Sequence, residues 1–419
     1  MKKNLLNFKK TLLLLACLLI GGSMFAQVYT FETLWMRTHN NGETRPDWFS
    51  TGDESENSHK GTERGIAYNH IFDKVMIASR SEGIPKVMYV NPETGADEGQ
   101  LLNTGMEEGG ELDGGGYPLN NVVISDDGQI IACNMTLNAD SSATQIGDLV
   151  YMKAFRVYRW KSLNHPPELL INYQGKQGAF RLGDKISFTG SLANDGGTAI
   201  LYAVANDQPY VLRWTFTNGE LDSEVPTVIT LKDCTTSHSQ ESNSPGTAPN
   251  VTPLGNTTSD MMYVSGNGFY TSLYSAPEQE GGTWVCNNYG KIGVNTVACR
   301  SSRMTDYRGF PFMALYYSTG TEGAKSQNAL VLDVTAQGPN VDSTDIIGLT
   351  PDMGTFTAYG AGGVDIAVRN DEIIVYVCTP DNGIGAFKVI GLETLNLEQF
   401  RPDKSYVIRN YPNPFSNIT

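Results

Sequence analysis

The sequence is poor in the residues that most often carry intracellular or metal chemistry. It has 6 cysteines and 5 histidines in 419 residues. No C-x-x-C pair and no close Cys/His spacing occurs among them, which removes zinc-finger and redox-pair readings. There is no G-x-x-x-x-G-K-[ST], H-E-x-x-H or G-x-S-x-G string, so P-loop, zinc-protease and α/β-hydrolase chemistries fall away. Basic residues are scarce: 30 Lys and Arg stand against 45 Asp and Glu, for a net charge of −15. Such a surface repels phosphate backbones and anionic lipid, so a nucleic-acid partner is not expected. Beyond the first residues no apolar run reaches the ~18 residues of a membrane span. An apolar rhythm of 3.6 residues is also missing over any useful length, which argues against a helical protein.

What is present begins with the N-terminus. Lys2, Lys3, Lys9 and Lys10 precede an apolar stretch from Leu12 to Ile20 that ends in Gly21, Gly22, Ser23, Met24, Phe25 and Ala26. A positive segment, a short apolar segment and a small-residue cleavage site predict a signal peptide over 1–26, removed by signal peptidase to leave Gln27 first. Cys17 behind Leu14, Leu15 and Ala16 looks like a lipobox, but the apolar run continues past it, which favours cleavage at Ala26. Loss of the four lysines takes the net charge from −15 to about −19.

The remaining chain is written in strands. Short runs of Val, Ile, Tyr, Phe and Thr recur, as in Lys74 to Arg80, Lys86 to Val90, Phe155 to Trp160 and Ile373 to Val377. Between them lie Asp126-Asp127-Gly128, Asn194-Asp195-Gly196, Thr217-Asn218-Gly219 and Pro380-Asp381-Asn382-Gly383, residues that accept the positive φ of tight hairpins. The pattern also repeats. Arg64-Gly65-Ile66-Ala67-Tyr68, a turn, and two further strands form one unit; Val364 to Val389 restates it, and similar units start near Asn121, Lys185, Asn250 and Asn295. Hairpin-linked strands recurring in this way predict an all-β fold, a β-propeller of six four-stranded antiparallel blades over 27–390, or seven if an insertion hides a degenerate one. A β-sandwich or β-helix is the alternative. Small residues at Gly65 and Gly362-Gly363 suit inner strands near an axis. The run Val28 to Met36 is expected to close the ring as the outer strand of the last blade.

Residues 391–409 read as a linker. The string Asn410-Tyr411-Pro412-Asn413-Pro414-Phe415-Ser416-Asn417 resembles the opening of the C-terminal sorting domain of the type IX secretion system of Bacteroidetes. The resemblance covers 410–419 and implies the secretion machinery as a partner and the cell surface as a destination; that family's domain runs several dozen residues further. The R-G-I-A-Y-N string at Arg64 and the K-V-M-I-A-S-R string at Lys74 resemble secreted Bacteroidetes proteins of the uncharacterised DUF4623 type. This second resemblance implies the propeller and brings no catalytic residue with it.

Candidate site residues follow from placement. Asp365 on a last-blade inner strand and Arg64 before the equivalent strand of the first blade are expected to face a central cavity, where propellers bind ligands. His39 and His59, in an acidic N-terminal loop, are candidate contacts over the mouth. Glu108, Glu111 and Asp113, in a Gly-rich acidic stretch, offer hard oxygens to Ca²⁺, although their spacing matches no 12-residue Ca²⁺ loop. Cys286 and Cys299 are the nearest cysteine pair for a disulfide. The reading these residues support first is a surface binding or adhesion module for glycan or protein; the alternative is a propeller hydrolase or lyase acting on an extracellular polysaccharide or lactone. Converging acids at the ring's centre would favour the second, and an aromatic groove without them the first.

Overall fold

A computed structural model describes residues 29–39, 45–50, 61–140, 143–146, 149–152, 154–232, 244–254, 261–267, 269–275, 283–289, 301–319, 326–334, 346–354 and 361–392. The expected signal peptide, His59 and the residues of the linker and sorting motif from 393 onward lie outside these.

Six antiparallel blades of four strands surround an axis. Their innermost strands are, in ring order, Gly65–Asn69, Asn121–Ile124, Ile186–Gly190, Thr247–Leu254, Ser302–Tyr307 and Gly363–Arg369, which define blades 1 to 6. Each blade runs outward through antiparallel neighbours; in blade 1, Gly65 pairs with Ala78 and Ala78 with Val87. The ring closes as the sequence predicts. The N-terminal strand Thr30–Thr38 lies antiparallel on Gly383–Ile390 of blade 6, with Phe31 opposite Val389 and Thr38 opposite Gly383.

The strands are apolar on both sides because both sides are covered. In Lys74–Ser79, Val75 and Ile77 join a core shared with blade 6 through Tyr376 and Ile384. Met76 and Ala78 point the other way, into a core shared with blade 2 through Val122, Ile130 and Trp160. A period-two alternation that would leave one polar face in a lone sheet therefore becomes two apolar faces. Six such cores separate the six blades. Tyr158, Trp160 and Trp214 are among the largest fully buried side chains, and a ring of this size contributes about 1.5–3 kcal/mol or more when removed from water.

Two features were not legible in the sequence. The outer strand of blade 3, Thr227–Lys232, pairs in parallel with that of blade 4, Thr283–Tyr289, so the two blades share one continuous sheet and cover each other's edges. A hairpin of Ala143–Ile146 and Leu149–Met152 is inserted between the second and third strands of blade 2. Cys133 and Cys378 are buried free thiols. Cys299 and the side chain of Cys286 lie outside the described residues.

Candidate functional site

The six inner strands run in the same direction, so their N-terminal ends gather at one mouth together with the loops that link second to third strands. Backbones approach closely there. A Cβ on Gly65 would lie 2.7 Å from the Asn121 Cα, and one on Gly363 2.7 Å from the Arg64 carbonyl. Each inner strand also has one edge without a strand partner, and its N–H and C=O groups must be satisfied by other means. Polar side chains from neighbouring blades do this. The Ile186 N–H donates to Asn121 Oδ1 at 3.1 Å and the Tyr68 N–H to Asp365 Oδ2 at 2.7 Å; Ser187 Oγ donates to the Val251 carbonyl.

Long cations cross the axis on the same principle. Lys185, at the head of blade 3, passes over blade 2 and donates from Nζ to the Arg64 carbonyl of blade 1. It is 1% exposed. Arg303 of blade 5 skips blade 4 and donates to the Ile186 carbonyl of blade 3 at 3.0 Å, and to Ser302 O at 2.9 Å. Burial pushes the Lys185 ammonium down to about 7; Cys378 and Asp184 oppose this, and the Arg303 and Arg64 guanidiniums reinforce it. Asp365 moves the opposite way. Burial raises its carboxyl to about 6, against the pull of Arg303 and the Tyr68 and Ile366 amides. Arg64 and Arg303 thus act on Lys185, and Arg303 also on Asp365, so that charges from four blades are linked along the axis through Arg303.

Above them the mouth carries a second set of charges. Glu63 is fully buried and accepts from Ser79 Oγ at 2.6 Å, Thr62 Oγ1 at 2.8 Å and the Ser50 N–H at 3.2 Å. Burial raises its carboxyl despite those donors. Arg80 donates to Asn120 Oδ1 at 2.6 Å and to the Gly61 and Leu119 carbonyls at 3.1 Å each. Burial and the neighbouring Arg64 hold its guanidinium down to about 9. Its guanidinium carbon lies 5.3 Å from the centre of the Tyr117 ring, a cation–π distance. Arg181 binds Asp184 through two bonds of 2.9 and 2.6 Å, and Arg45 donates to the Asp381 carbonyl at 2.7 Å.

The structure brings Arg64 and Asp365 to the axis, both half-buried. Arg64 is anchored by its Nε on the Gly61 carbonyl at 2.7 Å. His39 is exposed at the rim, where its N–H donates to the Asn382 carbonyl at 2.9 Å. Glu108, Glu111 and Asp113 sit on a mouth loop without converging. Glu108 and Glu111 are exposed, and both carboxylate oxygens of Asp113 are engaged by the Gly109 and Gly115 amides, at 2.9 and 2.8 Å. Among the described residues no three His, Cys, Asp or Glu are grouped to hold a metal ion. Lys185, Arg303, Glu63 and Arg80 were not singled out by sequence. The one signal for Lys185 was its place at the start of a repeat unit, equivalent to Arg64.

By class, then, the chain is a six-bladed β-propeller with a charged axial mouth. A family model described as a domain of unknown function, DUF8500, matches residues 127–298, from the first hairpin turn of blade 2 to just before blade 5. No curated protein matches the chain. Among solved structures it is similar to a DUF4623 family protein from Bacteroides eggerthii, at 14% identity over 88% of this chain and 84% of that one, with a TM-score of 0.57. An α-L-arabinanase from Penicillium chrysogenum is 11% identical over 87% and 98% of the two chains, with a TM-score of 0.46. A gluconolactonase from Xanthomonas campestris is 10% identical over 88% and 92%, with a TM-score of 0.44. The first of these likenesses shows the shared fold.

Proposed function

We propose that this chain is an exported propeller enzyme that cleaves an extracellular carbohydrate at the mouth of its axis, by hydrolysis or elimination. The observation that carries this is that Arg303 acts on both Lys185 and Asp365 across the axis, with Arg64 beside Lys185. Lys185 and Asp365 have been pushed toward neutrality from opposite directions, the condition for moving protons near pH 7. The arginines supply fixed positive charge to an oxygen that becomes negative as a bond breaks. In the test, the mature chain is incubated with polysaccharides and sugar lactones, and new reducing ends, unsaturated ends and released acid are followed. Cleavage that disappears in Lys185→Met and Asp365→Asn, both still folded, supports the assignment. A cooperatively folded protein inert toward the whole panel sinks it.

A binding module is the second reading, and one observation favours it. Lys185 and Arg303 both end on main-chain carbonyls, as struts bracing the ring would, which leaves the mouth as a recognition surface without turnover. Export rests on the N-terminal and C-terminal sequence patterns. Recovery of the chain from the cytoplasm alone, beginning at Met1 instead of Gln27, would refute it.

A further inference from the structure

The chain is acidic overall, with a net charge of −15, yet four cations gather on one side of its mouth. Arg64, Arg80, Arg181 and Lys185 come from blades 1 and 3 and the loops leading into them, and flank the Tyr117 loop of blade 2. Three carboxylates beside them are engaged, Asp184 by Arg181, Glu63 by three donors within the protein, and Asp381 by the Gly61 amide at 2.9 Å, while Glu108 and Glu111 on the Tyr117 loop are exposed. Tyr117 is 37% exposed. One face of its ring is backed by Arg80, and the Arg181 side chain beside it is 30% exposed. An aromatic platform bordered by guanidiniums matches a sugar ring that carries an anion, which would meet Arg181 on the side of its guanidinium that Asp184 does not take.

We propose that this mouth recognises a carboxylate-bearing sugar, a uronic acid unit of an acidic glycan, with the sugar ring on Tyr117 and the carboxylate toward Arg181 and Arg64. The proposal deepens the carbohydrate reading above and rests on it. It has a consequence that a neutral ligand would not share. Lys185 is faced by Arg64 from blade 1, Arg303 from blade 5, Asp184 on its own loop and Cys378 from blade 6. Burial and the two guanidiniums hold its ammonium down, and a bound anion adds the opposite field. Binding at pH 7–8 therefore draws a proton onto Lys185.

The experiment is calorimetric titration of the whole mature chain with oligogalacturonate, with its methyl ester as a neutral counterpart, and with a sulfated oligosaccharide. Each is run in buffers of different ionisation heat. The expected result is binding of the uronate at least tenfold tighter than the ester, weakening with salt, with net proton uptake. Tyr117→Ala, at an exposed position, should weaken it by about five- to tenfold, and Lys185→Met should abolish the uptake. Equal affinity for acid and ester, preference for the sulfated ligand, or uronate binding without proton uptake overturns the proposal. Cleavage of a neutral glycan with no affinity for uronate overturns it and leaves the enzyme reading standing. Uronate binding with proton uptake and no cleavage of any glycan removes the enzyme reading and leaves the proposal.

Discussion

The two ends of the propeller are built by different rules. At the end away from the mouth, short hairpin turns satisfy themselves. Asn69 Oδ1 accepts the Ile71 and Phe72 amides at 3.0 Å, Ser125 Oγ the Gln129 amide at 2.9 Å and Asp306 Oδ1 the Gly309 amide at 2.8 Å. Positive φ falls there on Asp73, Gly128, Gly196, Asn218 and Asn370, the residue types that tolerate it. At the mouth, longer loops bury Glu63, Arg80 and Lys185; Arg80 and Lys185 are satisfied across blades, and Glu63 by Ser79 of its own blade and by the loops before it. The difference teaches where function can reside. Local turns stabilise a hairpin whatever the rest of the ring does, whereas buried charges need the whole ring and persist at a cost.

This contrast can be broken from either side. The largest effect is expected for Glu63→Ala, which orphans three buried donors and should cost about 3 kcal/mol in a denaturant titration; Asp306→Ala, which loses one local turn bond at the other end, should cost about 1 kcal/mol. A matched glycine pair comes next. Gly183 and Gly196 share a φ of +87° and +86°, but a Cβ on Gly183 would sit 1.9 Å from the Asn134 carbonyl while one on Gly196 meets nothing within 4 Å. Gly183→Ala should lose about 3 kcal/mol and Gly196→Ala about 1 kcal/mol; equal losses would show that the mouth backbone is no more confined than a surface turn.

Lys185 sharpens the contrast through pH. Its folded value of about 7 lies below the ordinary lysine value of 10.5, so between these the unfolded chain binds more protons and stability should climb with pH, at most about 1.4 kcal/mol per unit. The penalty is fully present below about pH 7 and gone above about pH 10. In Lys185→Met the unfolding midpoint at pH 9 should no longer exceed that at pH 7 by the wild-type margin. The smallest effect belongs to the opposite end. Arg308, paired on the surface with Asp371, should be replaceable by Ala with no measurable change in the unfolding midpoint, because exposed pairs are screened.

Much of the fold was legible in the sequence because its causes are local. Alternation in Val75-Met76-Ile77-Ala78 and in Ile373 to Val377 is a property of neighbouring residues, and Asp126-Asp127-Gly128 or Asn218-Gly219 turns where its own backbone permits. Repetition of that grammar six times predicts six blades, and the leftover strand before them predicts the closure by Thr30–Thr38. The parallel pairing of the outer strands of blades 3 and 4 was not predicted, since it depends on how two edges approach in space. The site follows the same division. Arg64 and Asp365 were recognised by their positions on or beside inner strands, whereas Arg303 lies 118 residues from Lys185 in the chain and meets it only because the ring curves.

By itself, then, the sequence determined period, turn and repeat, all set by neighbours within a few residues. Which charges would face one another was decided by the closed ring. Bringing the heads of blades 1, 3, 5 and 6 to one axis leaves inner-strand carbonyls without strand partners, and Lys185 and Arg303 are long enough to reach them. Their burial exists only after all six blades have closed.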